Sequence, residues 1–188
     1  ENQEEIATIL EQTEKLDFLI QSLVKLSRME SGIIAVHSED TTIKQMLESI
    51  QQQFNVKVRE KNITLSLCDT DLHVRCDSKW TVEALGNIVD NAIKYTACGG
   101  NVQIKVEQYS FFVKIDIIDD GIGIEKEEIP KIFGRFYRSL SVADQPGVGI
   151  GLFLAREIIQ AQKGYIKVTS EREKGSTFSV FLPIAKKE

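Results

Sequence analysis

Asn87-Ile88-Val89-Asp90-Asn91-Ala92-Ile93-Lys94-Tyr95-Thr96 is the stretch from which the rest of the chain can be read. Asn87, Asn91 and Lys94 are spaced i, i+4, i+7, which puts them in one stripe of a helix. Leu85, Ile88, Val89, Ala92 and Ile93 form a second, apolar stripe beside it. Such a helix has one side to pack and another to present. Carboxamide oxygens suit a hard cation such as Mg2+, and a nearby ammonium suits phosphate oxygens. A surface helix that happens to carry two asparagines gives the same pattern, so this segment alone does not decide.

Two further segments bear on the choice. Residues 111–118, Phe-Phe-Val-Lys-Ile-Asp-Ile-Ile, have the β-branched and aromatic content of a strand. They lead into Asp119-Asp120-Gly121-Ile122-Gly123-Ile124. Glycines there allow a tight turn and the close approach of a ligand, and Asp119 can accept a hydrogen bond from an exocyclic amine. A plain Asp-Gly turn is the simpler alternative. Downstream, Gly147, Gly149 and Gly151 precede Leu152 and a helical pattern over about 150–162, marked by Phe153, Leu154, Ile158 and Ile159. Backbone N–H groups at such a helix start make an anion site. The segment lacks the Gly-Lys-Ser/Thr ending of a P-loop, and the Asp119 segment lacks the third glycine of a dinucleotide fingerprint.

The ordered set Asn87-x-x-x-Asn91-x-x-Lys94, Asp119-x-Gly121-x-Gly123, Phe133-x-x-Phe136, Gly147-x-Gly149-x-Gly151-Leu152 and Lys174-Gly175-Ser176-Thr177-Phe178 resembles the ATP-binding domain of a sensor histidine kinase. The resemblance covers about 41–184 and implies a two-layer α/β sandwich, the Bergerat-type ATP-binding fold, preceded by a long helix. It implies ATP and Mg2+ as cofactors. Asn91 would ligate Mg2+ with Asn87 assisting, Lys94 would reach the phosphates, and Tyr95 would pack along adenine or ribose. Asp119 would bind the adenine amine with Thr177 in support. Gly121 and Gly123 would let the chain pass the base, and Ile124 would line its slot. Phe133 and Phe136 would anchor a lid, with Arg135 or Arg138 able to meet phosphate. Gly147, Gly149 and Gly151 would hinge that lid, and Leu152 completes their motif. Gly134 departs from the family, which commonly has an acid there.

With 188 residues, 42% hydrophobic and 27% charged, the chain has room for one sizeable domain and an appendage. Its net charge of −5 gives no whole-chain attraction to nucleic acid or anionic membrane. Cys68, Cys76 and Cys98 lack metal-binding spacing and read as reduced thiols. No apolar run of about 18 residues is present. A cytoplasmic domain of a membrane-anchored parent is expected.

Residues 1–31 pattern as a helix with a broad apolar face, in which Ile9, Leu16 and Leu23 recur every seventh residue. That face packs either on its own domain or in an intermolecular bundle, and the long uninterrupted stripe favours the bundle. By resemblance this is the second helix of a dimerisation and phosphoacceptor hairpin, ended by Gly32, which implies a homodimer. Residues 32–41 read as a linker and 42–188 as the ATP-binding domain. Helices are expected over about 42–58, capped by Thr41 or Thr42, and after an Asp77 cap. Strands are expected near 63–67, 72–76, 102–107, 111–118, 165–170 and 177–182.

The implied reaction moves the γ-phosphoryl of ATP to a histidine and then to a response-regulator aspartate. Neither His37 nor His73 has the phosphoacceptor context, so the acceptor is expected outside this sequence. Hydrolysing relatives carry a glutamate one turn before the metal-binding Asn; here that position is Asn87, a carboxamide that cannot serve as a base at neutral pH. An anti-sigma-type serine kinase and a non-catalytic nucleotide-binding scaffold remain the alternatives.

Overall fold

Alternation along Val113-Lys114-Ile115-Asp116-Ile117 fixes which way the central strand faces, because successive side chains point to opposite sides of a sheet. Val113, Ile115 and Ile117 are wholly buried. The structure, a computed structural model, describes residues 2–30, 36–139, 142, 145 and 147–185. Within these, α1 is Asn2–Glu30, β1 Glu39–Thr42, α2 Ile43–Glu60, β2 Thr64–Leu67, β3 His73–Cys76 and α3 Ser78–Tyr95. Then follow β4 Asn101–Gln108, β5 Phe112–Asp119, α4 Gly151–Ala161, β6 Tyr165–Glu171 and β7 Gly175–Pro183. The expected Gly32 cap lies outside the described residues.

Five strands form one sheet in the order β2-β4-β5-β7-β6, with β2 parallel to β4 and the other pairs antiparallel. Helices α2, α3 and α4 cover one face. Their Ile50, Leu85, Ile88, Ile158 and Ile159 meet Ile104, Ile115, Ile117, Val180 and Leu182 from the sheet, all essentially removed from water. Each such side chain contributes roughly 1.5–3 kcal/mol on burial. This is the expected two-layer α/β sandwich.

One boundary differs from expectation, and one expected cap is made differently. Glu39–Thr42 is not linker but strand β1, paired antiparallel with β3 through Thr41↔Val74 and Glu39↔Cys76. Thr42 occupies the N-cap position of α2 without a side-chain hydrogen bond. The Leu72 carbonyl takes the Ile43 N–H instead, at 3.0 Å. Asp77 does cap α3, accepting from the Trp80 N–H at 3.2 Å.

Helix α1 meets the sandwich near its C-terminal end. Leu26 and Ser22 are buried, and Lys25 pairs with Glu83 of α3 at 2.5 Å. Ile6, Ile9, Leu10, Leu16, Ile20 and Leu23 stay exposed. The apolar stripe is therefore only partly used within the chain.

The C-terminal end of α3 is held by Lys61, which follows α2. Its ammonium donates to the carbonyls of Ile93, Lys94 and Thr96 at 2.9, 2.7 and 2.7 Å. Those are among the groups a helix end leaves without intrahelical partners, at the end where the helix dipole favours a cation. The Lys61 carbonyl in turn accepts from the Gly99 N–H at 3.1 Å. Replacing Lys61 with Met should cost roughly 2–3 kcal/mol, measured by urea unfolding, because charge-assisted bonds are lost and partly buried carbonyls stranded. A loss under about 0.5 kcal/mol, the level of an ordinary surface change, would contradict this.

Candidate functional site

The two stripes of α3 face different surroundings. Leu85, Ile88, Val89 and Ala92 enter the core, whereas Asn87, Asn91, Lys94 and Tyr95 line one wall of a cleft. Asp119 and Ser176, at the ends of β5 and β7, form its floor, and Ile122, Gly123, Ile124 and Ile132 an apolar side. Tyr137, Arg138, Gly147, Gly149, Gly151 and Leu152 close the remainder.

Asp119 is only 7% exposed. It receives backbone N–H bonds from Gly121, at 2.9 Å, and from Ser176. Desolvation outweighs those bonds and pushes its pKa from 3.8 up to about 6. A buried acid with spare lone pairs at the end of an apolar slot is suited to a ligand N–H donor. Gly121 itself does not line the cleft. Its Cα packs against the Tyr95 carbonyl, where a Cβ would stand 2.6 Å away. Gly123 does line it, at φ 67°, with no room for a Cβ against the Glu171 carbonyl.

On the opposite wall, burial and the nearby Arg138 lower the pKa of Lys94. Its ammonium lies 4.8 Å from the centre of the Tyr95 ring. It also sits 2.7 Å from where a Cβ on Gly147 would be, so the glycine makes room for the charge. The Asn87 carboxamide nitrogen is buried with no partner, and its oxygen faces Gly151 at the start of α4. One orphaned donor, an ammonium and a helix N-terminus thus converge on one side of the cleft, an arrangement that favours anionic oxygens. Among the described residues no cluster of three His, Cys, Asp or Glu is placed to hold a metal. A hard cation here would rest on the Asn91 carboxamide and on oxygens of the ligand, as Mg2+ commonly does.

Three expected positions are corrected. Thr177 points to the opposite face of β7, and Ser176 takes its place in the cleft, since adjacent strand residues alternate faces. Arg135 lies outside the cleft, 4.7 Å over the Phe153 ring. Phe136 is 52% exposed, adopts φ 60° and is not part of the described core, unlike Phe133. That left-handed residue turns the chain so that Tyr137 and Arg138 face the cleft. Arg138 donates to the carbonyls of Val142, at 2.9 Å, and Gln145, tying the chain beyond it. The expected lid residues Leu140, Ser141, Ala143, Asp144 and Pro146 lie outside the described residues. Phe133 does pack against the core, beneath Arg156. Glu83, one turn before Asn87, lies outside the cleft and is engaged by Lys25, and Asp90, which does line the cleft, is engaged by Lys57.

Sequence reasoning missed Ile122, Tyr137, Ser176 and Phe18, the last reaching the cleft from α1. For Ser176 the signal was present: strand alternation from buried Phe178 puts residue 176 on the inner face.

The raised pKa of Asp119 has consequences of definite sign. Its proton is held more tightly folded than unfolded, so the ionised form opposes folding above pH 6, by roughly 3 kcal/mol at two units of difference. Asp119→Asn keeps an oxygen for the Gly121 N–H and should be the more stable protein at pH 7.5 in urea unfolding. That advantage should fade as pH falls from 6 to 4. Equal stabilities at pH 7.5 would refute it.

Residues 76–186 match the family described as histidine kinase-, DNA gyrase B-, and HSP90-like ATPase. The chain is 33% identical over 177 residues to the sensor histidine kinase WalK of Bacillus subtilis, covering 92% of this chain but 29% of that protein. It thus spans under a third of that relative's length. Among solved structures, the mycobacterial sensor histidine kinase MprB superposes with a TM-score of 0.69 at 26% identity, over 78% of this chain and 97% of that one. Full-length ShkA in complex with AMPPNP shares the fold, with a TM-score of 0.83 at 21% identity over 100% of this chain and 40% of that one. The chain belongs to the histidine kinase-, DNA gyrase B-, and HSP90-like ATPase family, and its relatives there are sensor histidine kinases.

Proposed function

We propose that this chain is the ATP-binding catalytic portion of a sensor histidine kinase. It would donate the γ-phosphoryl of Mg-ATP to a histidine on a dimerisation domain, for relay to an aspartate of a response regulator. The observation that carries this reading is the cleft itself. One cleft is lined by a buried carboxylate, by apolar Ile122, Ile124 and Ile132, and by Lys94, Asn91 and the start of α4. That combination suits a purine on the acid and apolar side chains and a polyphosphate on the lysine and the helix start.

In this reading Asp119 accepts from the adenine amine, with Ser176 beside it, and Ile122, Ile124 and Ile132 cover the ring. Tyr95 packs along the nucleoside. Asn91 offers its carboxamide oxygen to Mg2+, with Asn87 next to it. Lys94 and the backbone N–H groups of Gly149 and Gly151 meet the phosphates. The metal supplies charge neutralisation at the transferred group, and the protein supplies positioning. Asn87, where hydrolysing relatives carry a glutamate, is a carboxamide that cannot take a proton from water at neutral pH, which favours transfer over hydrolysis. Helix α1, with its exposed apolar stripe, would be the second helix of the dimerisation hairpin in a homodimeric parent.

Asn91→Ala and Lys94→Met should each weaken Mg-ATP binding about tenfold or more by isothermal titration, the first only when Mg2+ is present. Supplied with the acceptor half of a cognate hairpin, the unmutated chain should label its histidine from γ-labelled ATP. Unchanged affinity in both variants would remove the site assignment. Binding without transfer would leave a nucleotide-binding module.

A further inference from the structure

Ser170 lies on the inner face of β6, directly opposite Ser176 of β7 in the strand register, and Ser176 lies opposite Asp119 of β5. The Ser170 hydroxyl has three neighbours. The Ile124 N–H reaches it at 2.8 Å, the Gly175 carbonyl stands at 2.9 Å, and the Ser176 hydroxyl at 2.9 Å. A serine hydroxyl offers one proton and two lone pairs. The Ile124 N–H can only donate, so it takes a lone pair. The Gly175 carbonyl can only accept, so it takes the proton. What remains for Ser176 is the second lone pair, and the Ser176 proton must therefore point at Ser170.

We propose that Ser170 is a specificity-determining positioning residue: by accepting the Ser176 proton, it leaves Ser176 with only lone pairs for the cleft. Beside it stands Asp119, which as a carboxylate is also an acceptor only. This end of the site then accepts hydrogen bonds from a ligand and offers none from these two side chains. It admits a purine bearing a 6-amino group and rejects one bearing a 6-keto group, whose oxygen would face lone pairs. A site built to pair a ligand N–H loses its bond when the analogue lacks that group. The proposal rests on the reading that the base sits at Asp119. Ser170 acts through Ser176, and the Ile124 bond also ties the glycine turn to the sheet.

The test is the ratio of affinities for ATP, with a 6-amino group beside an unprotonated N1, and inosine triphosphate, with a 6-keto group beside an N1–H, measured by isothermal titration with Mg2+. The unmutated chain should prefer ATP. Ser170→Ala frees the Ser176 hydroxyl to turn outward and donate to a keto oxygen, so the preference should fall roughly fivefold, about one hydrogen bond. Ser170→Thr keeps the hydroxyl and should keep the preference. Asp119→Asn should lose it whatever Ser170 does. If Ser170→Ala weakens both nucleotides by one factor, or changes neither, the proposal is overturned, while a loss in Asp119→Asn keeps the base at Asp119. If the unmutated chain binds both nucleotides equally, or Asp119→Asn retains the preference, the base placement falls and the proposal with it.

Discussion

Holding a carboxylate out of water next to apolar side chains is costly, and the cleft is organised around one such group. Asp119 terminates the central strand β5, the most buried strand of the sheet, so its position is set by the core itself. Two backbone N–H groups hold it, and they leave its pKa near 6 instead of returning it to the ordinary carboxylate range. The fold thus keeps an acid whose burial opposes its ionisation. Such a cost is expected where a residue is retained for what it binds.

The second organising element is α3, which must serve the core and the cleft at once. Its apolar stripe locks it onto β5 and α4, and this fixes the height of Asn87, Asn91 and Lys94 along the opposite wall. The C-terminal end of the helix is secured from outside. Lys61 collects three of its carbonyls, and the Tyr95 carbonyl accepts from the Ile122 N–H at 3.2 Å. The helix end and the Asp119 turn are thereby joined directly, which fixes the spacing between the Lys94 and Asp119 sides of the cleft.

Much of this was legible in the sequence because the relevant signals are local. The i, i+4, i+7 stripe gave the helix wall, β-branched content gave β5, and alternating glycines gave the start of α4. What was not legible depends on register, on backbone sign or on distant partners. Choosing Thr177 over Ser176 is a one-residue error that exchanges the faces of a strand. Phe136 carries no glycine-like signal for its positive φ, yet that angle sends Arg135 away and Tyr137 inward. Strand β1 is too acidic to announce itself and exists through pairing with β3. Lys61 and Ser170 act through partners more than 30 and 40 residues away, as Ile93 and Ile124 show.

The central claim is that the cleft between α3 and the Asp119 turn binds the nucleotide. Hydrogen exchange with and without Mg-ATP, resolved to peptides, tests it most directly. The account predicts slowed exchange over the Asp119–Ile124 turn and the start of α4, with exchange in the distant β1–β3 pair unchanged. Protection absent from both cleft segments, or equal in β1–β3, would contradict it.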